Sequence, residues 1–160
     1  DIYTAKLAFA DALDEQTTIK RDEAVSRSKQ RAITPSAECW DGSIDDLNHV
    51  PKSRAKIALG NIAIACELAK DEKWFKNNPK RQMRCLVTLW DRESGWYHKS
   101  GKPKRAYGIP QSLPGNKMAE SGKDWRTNPA TQVSWGLGYI VIRYDTPCDA
   151  LQHHDAKNWY

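Results

Sequence analysis

Two Asn-Pro pairs, Asn78-Pro79 and Asn128-Pro129, each stand directly before an apolar stripe of helical period. Asn favours the capping position of a helix, and Pro, with its fixed φ, fits the first helical residue. After the first pair, Met83, Leu86, Val87 and Trp90 fall at i, i+3, i+4 and i+7. This spacing predicts an amphipathic helix ending near Gly95. After the second, Val133, Leu137, Ile140, Val141 and Tyr144 predict a helix that stops before Thr146-Pro147. A third stretch, 53–69, carries Ile57, Ile64, Ala65 and Leu68 along one face, with Asn61 between them. Residues 2–31 read as a further helix with Ile2, Ala5, Phe9 and Leu13 in register, then turn polar until Thr34-Pro35-Ser36. The expected chain is mainly α. It has an N-terminal helical arm or spacer over residues 1–38 and a folded domain over 39–160. Between the two Asn-Pro helices, residues 97–126 are rich in Gly, Pro, Lys and Ser, a long loop of the kind that carries function on a rigid scaffold.

With 160 residues the chain is long enough to bury a real core. Charged residues at 28% exclude a membrane class, and 39% apolar residues exclude full disorder. No run approaches the length of a membrane span, and none reads as a signal peptide. The net charge is +5, and the basic excess lies beyond residue 38. Such a field favours anionic partners, whether nucleic acid, an acidic lipid surface or an anionic cell-wall polymer. Seven Trp and six Tyr against two Phe weight the aromatic content toward rings with a polar handle, suited to meeting a ligand. Four cysteines, Cys39, Cys66, Cys85 and Cys148, have no metal-ligand spacing. Their even number points to two disulfides in an oxidising compartment, but spacing leaves all three pairings open. His153-His154 has no third ligand nearby in sequence and reads as a pair of surface histidines; no metal or cofactor is expected.

Glu93 lies three residues after Trp90 and seven after Leu86, so it continues the buried stripe of its helix. A carboxyl at the core-facing end of a helix is partly desolvated, and the negative helix C-terminus acts in the same direction. Both effects favour the neutral acid that a general acid requires. The structural alternative is an ion pair with Arg92, Arg126 or Arg143. A two-carboxylate glycosidase would need a partner for Glu93. Asp91 points to another helix face, Asp124 in the loop is the remaining candidate, and a single-acid mechanism is the simpler reading.

The segments Arg92-Glu93-Ser94-Gly95-Trp96 and Ala106-Tyr107-Gly108-Ile109-Pro110-Gln111 resemble the lytic transglycosylase branch of the lysozyme-like superfamily, related to goose-type lysozyme. The closer likeness is to its secreted actinobacterial form. It extends through Cys85–Trp90, Pro114–Ala119, Asn128-Pro129, Trp135–Ile140 and Tyr144–Cys148 to Trp159-Tyr160, about residues 80–160. The resemblance implies cleavage of the β-1,4 bond between N-acetylmuramic acid and N-acetylglucosamine in peptidoglycan. Glu93 would protonate the glycosidic oxygen and then take a proton from the C6 hydroxyl, yielding a 1,6-anhydro sugar, with the substrate's acetamido group assisting. Tyr107 and Gln111 match the motif lining the cleft, and Trp96, Trp135 and Tyr139 are candidates for stacking on sugar faces. The late Ala-Tyr-Asn segment of the family has no match in Ala150–His154, and Tyr139 or Tyr144 could supply the missing hydroxyl. The resemblance also implies that Cys85 pairs with Cys148, leaving Cys39 to Cys66.

Two other readings stand beside the transglycosylase. One is a muramidase that hydrolyses the same bond with Glu93 and Asp124. The other is a non-catalytic wall-binding module, which would have no need of a half-buried acid. Nucleic-acid binding lacks any recognised motif. The expected partners are peptidoglycan strands and anionic wall polymers, and the expected location is extracellular, at the cell wall.

Overall fold

The computed structural model describes residues 15–27 and 34–160. In chain order these form α1 (residues 15–27), 3-10 turns at Ile44–Asp46 and Lys52–Arg54, α2 (Ala55–Ala69), α3 (Lys73–Asn77) and α4 (Pro79–Ser94). A 3-10 segment at Gly115–Glu120, α5 (Pro129–Tyr144) and α6 (Pro147–Lys157) follow. The protein is mainly helical; among the described residues pairing is limited to isolated bridges of Gly101 and Ser112 with Tyr107.

Helix α4 is the axis of the core. Its stripe of Met83, Leu86, Val87, Leu89 and Trp90 is buried, and it meets Ile62 and Ala65 of α2, Val133, Leu137 and Ile140 of α5, and Ala150 of α6. Its most extensive partner is α6, while α2 pairs with α5. The starts follow the sequence. Pro79 and Pro129 occupy the first turns of α4 and α5, and the Asn128 side chain accepts from the Ala130 amide. Gly95 ends α4 at φ 61°, its amide donating to the Asp91 and Trp90 carbonyls. Glycine is needed here for two reasons: the left-handed conformation, and the His49 carbonyl oxygen that would lie 2.4 Å from a Cβ. Asp91 holds that same neighbour, accepting from the amides of Asn48 and His49 at 3.0 and 3.1 Å.

Three expectations change. The core face of α2 runs through Ala58, Ile62, Ala65 and Ala69, whereas Ile57 is exposed. Ile64 is buried on a different side, in a small cluster with Ala24 of α1 and Ala130 of α5. A second helix thus covers what periodicity merged into one face. The region beyond Thr146-Pro147 is helix α6, capped by the Thr146 hydroxyl accepting from the Asp149 amide. The five-residue α3 was not anticipated, and its buried Trp74 belongs to the main core.

Of the expected N-terminal arm, residues 15–27 lie against the domain. Arg21 donates to the Ser121 carbonyl, Arg27 pairs with Glu67 at 2.9 Å, and Lys20 pairs with Asp71. The remainder of that helix, residues 2–14 and 28–31, lies outside the described residues. Two disulfides close the fold, Cys39–Cys66 and Cys85–Cys148. The second joins α4 to the first turn of α6.

Candidate active site

Glu93 projects from the last turn of α4 into a cavity of about 370 Å³. Gln111 and the Pro110 ring lie on one side, Trp135, Tyr139 and Arg143 of α5 on another, and Trp159 and Tyr160 close the C-terminal side. The Glu93 side chain keeps 18% of its exposure. Burial pushes its carboxyl up from the usual 4.5 to about 7, because the charged form loses more hydration than the neutral one. Glu93 is the one carboxylate among the described residues that line this cavity.

The residue facing the acid is a histidine, not an arginine. His154 Nε2 of α6 lies 3.1 Å from Glu93 Oε1, with its side chain only 15% exposed. Burial, helped by the charges of Arg92 and His153 and opposed by Asp155, holds its imidazole below the usual histidine range. Acid and base are both displaced toward their neutral forms. The three expected arginine partners are occupied elsewhere. Arg92 pairs with Asp155, Arg126 lies over the Trp125 ring at 4.4 Å, and Arg143 lies over Trp159 at 5.5 Å. The reading of His153-His154 as surface residues is therefore corrected. His153 is also enclosed, its ring 4.6 Å from that of Trp159 and 5.2 Å from that of Tyr144.

Tyr160 lines the cavity as well. It accepts from Trp90 Nε1 at 2.8 Å and donates to the Pro110 carbonyl at 2.7 Å. Burial raises its phenol well above the usual range, and the Glu93 charge adds to the effect. Tyr139 lines the cavity and stacks on Trp135 with centroids 5.3 Å apart and planes 17° from parallel. Tyr144 packs against Tyr160 and is not among the lining residues.

Two expected sugar-contacting residues are corrected. Trp96 is fully buried, edge-on to Trp90 at 5.2 Å, and its indole donates to the Val87 carbonyl at 3.0 Å. The left-handed turn at Gly95 and Trp96 folds the chain back beneath α4, so the indole becomes core. Tyr107 turns inward against Trp125 and donates to the Arg126 carbonyl at 2.7 Å. Gln111 does line the cavity, but its amide nitrogen is held by the carbonyls of Gly108 and Ser100.

Asp124 does not reach the cavity. It accepts from Thr131 Oγ1 at 2.6 Å and Asn128 Nδ2 at 2.8 Å, at the start of α5. Burial alone would raise its carboxyl, but these hydrogen bonds and the charge of Arg21 hold it below the usual range. The long loop is also held from α5, by a residue that the sequence pattern does not mark. Fully buried Gln132 accepts from the Ile109 amide and donates to the carbonyls of His98 and Trp125, all within 2.9 Å. It thereby holds the loop at both ends and in the middle. No group of three or more His, Cys, Asp or Glu converges as metal ligands among the described residues.

The fold and site together define a helical, disulfide-linked domain with one protonatable carboxyl in an aromatic-walled cavity. No family model, curated protein or solved structure matches the chain.

Proposed function

We propose that the chain is a peptidoglycan lytic transglycosylase in which Glu93 serves as the only acid/base. The observation that carries this reading is a carboxyl protonated near neutrality, without a second carboxylate among the described lining residues. A neutral acid can give its proton to a glycosidic oxygen, which is the difficult step in leaving-group departure. The resulting carboxylate is a base able to take the proton of the C6 hydroxyl as that oxygen attacks C1. The acid is thereby regenerated, and no carboxylate is needed to activate water. The stacked Trp135–Tyr139 pair offers flat apolar surface for a sugar ring, and the resemblance around Glu93-Ser94-Gly95 and Ala106–Gln111 supports the same assignment. The basic excess beyond residue 38 suits a wall carrying anionic polymers. Two disulfides suit action outside the cell, where thiols oxidise. No helix among the described residues is long and apolar enough to cross a membrane.

The test is mass spectrometry of soluble products from purified peptidoglycan, with Glu93→Gln run beside the unaltered protein. Anhydro-muropeptides from the unaltered protein alone are expected. Reducing ends would replace this proposal with a muramidase, and binding without products would replace it with a wall-binding module.

A further inference from the structure

Helix α5 presents two adjacent rows of side chains at intervals of four residues. Trp135, Tyr139 and Arg143 form one row, a wall of the Glu93 cavity. Ser134, Gly138 and Ile142 form the next, and with Glu120 and Ser121 they line a separate groove of about 620 Å³ beyond that wall. The three wall residues line both spaces. We propose that this groove binds an acidic peptide branch carried by the sugar in the Glu93 cavity, with the Arg143 guanidinium taking one of its carboxylates. The assignment rests on the transglycosylase reading, in which N-acetylmuramic acid bears such a branch on its lactyl group.

Gly138 stands inside a helix, where glycine weakens the structure. A Cβ there would meet nothing within 4 Å, so packing within the fold does not call for glycine. Gly136 differs, because its Cβ would strike the Trp90 ring. The missing side chain at 138 instead leaves the middle of the groove floor open. Ile142, next in the same row, is 89% exposed and offers apolar surface to an alkyl side chain of the branch. Ser121 and Ser134 bring hydroxyl-bearing side chains to the groove, suited to amide groups. Arg143 supplies the charge. Its guanidinium lies over the rings of Tyr139, Tyr144 and Trp159 at 5.9, 5.8 and 5.5 Å, which hold it at the edge between groove and cavity. Among the described residues it forms no ion pair, not even with Glu120 of the same groove. A guanidinium held in place without a carboxylate partner is a receptor for one.

The experiment titrates the full chain, labelled with nitrogen-15, with N-acetylmuramyl-alanyl-glutamate and with the same fragment after its carboxylates are converted to methyl amides. Neither fragment contains the bond to be cleaved. The acidic fragment is expected to move the amide resonances of Gly138 and Ile142 and to bind about tenfold more tightly than the methyl amide, the size of one charge-assisted contact. Arg143→Leu should bring the two affinities together. Gly138→Leu places a better helix former in open space, so the chain keeps its fold. By filling the groove floor it should weaken the acidic fragment about tenfold. Equal affinities in the unaltered protein, a preference that survives Arg143→Leu, undiminished binding by Gly138→Leu, or no binding of either fragment would each overturn the proposal. Glycerol phosphate acting on the same resonances with the affinity of the acidic fragment would also overturn it, assigning the groove to an anionic polymer. A carboxylate preference in a protein that yields no anhydro-muropeptides would sink the reaction and keep the groove. Anhydro-muropeptides from a protein without the preference would do the reverse.

Discussion

Replacing Glu93 by Gln should make the protein more stable as well as inactive, and the gain should depend on pH. In the folded chain the carboxyl titrates at about 7, against 4.5 when exposed. Below pH 4.5 both states hold the proton and the acid contributes no penalty. Between 4.5 and 7 the unfolded chain ionises first, so stability falls as pH rises; above 7 the whole penalty is present. Each pH unit of displacement is worth about 1.4 kcal/mol, giving about 3 kcal/mol in full. The side chain retains 18% of its exposure, and solvent screening reduces the figure to about 2 kcal/mol. Gln has nearly the same shape, keeps an oxygen facing His154 and never ionises. For a chain of this length the difference corresponds to roughly 4–8 °C in Tm. Thermal unfolding of both proteins at pH 4, 5.5, 7 and 8.5 should show curves that coincide in acid and separate toward alkaline pH. A separation constant with pH, or a Gln variant less stable at pH 8.5, would refute the claim that desolvation sets the acid's affinity for its proton. In the proposed reaction the acid must be protonated, so turnover of glycan should decline as pH passes about 7.

The two glycines of α5 should respond in opposite senses. A Cβ at Gly136 would lie 2.6 Å from the rigid Trp90 ring and 3.0 Å from the Pro110 ring, so Gly136→Ala should cost about 1–2 kcal/mol net of its better helix propensity. A Cβ at Gly138 would meet nothing within 4 Å, and Gly138→Ala should add about 0.5–1 kcal/mol; urea midpoints shifted in opposite directions would bear this out. Asp124→Ala should lower stability by about 1–2 kcal/mol, through the bonds it accepts from Thr131 and Asn128, and leave glycan cleavage intact. A cleavage rate reduced by orders of magnitude would instead place Asp124 in the chemistry.

The helices that were legible in sequence are those with long stripes and punctuated starts. Helices α4 and α5 have both, and Gly95 marks the end of α4. Helix α6 begins with the same punctuation, Thr146-Pro147 with Asp149 beyond, but its inward stripe is short and ends on a histidine, so no run of apolar residues drew attention to it. For that reason the acid was legible and its neighbour was not. Glu93 continues a stripe of large apolar residues, whereas His154 continues one made of Pro147 and Ala150. Trp96 was misplaced because periodicity describes one helix at a time and cannot anticipate a chain reversal at Gly95 that returns the next side chain to the core. Gln132 is a polar residue in an apolar helix face, and its meaning lies wholly in the loop carbonyls and amide it meets. The cysteine pairing was open on spacing and was implied by the resemblance; the disulfides formed are those pairs.

The bond between Cys85 and Cys148 closes a covalent ring, and most of the site lies inside it. Glu93, the cavity residues of the long loop and those of α5 fall within the ring, while Asn158, Trp159 and Tyr160 lie just beyond its closure. The ring of Cys39–Cys66 ends before this one begins, so the two are consecutive along the chain. A single peptide-bond cut in the loop at 97–126 would therefore open the larger ring without releasing a fragment. The acid and the opposite wall of its cavity would stay one molecule, joined through sulfur, until a reductant arrived.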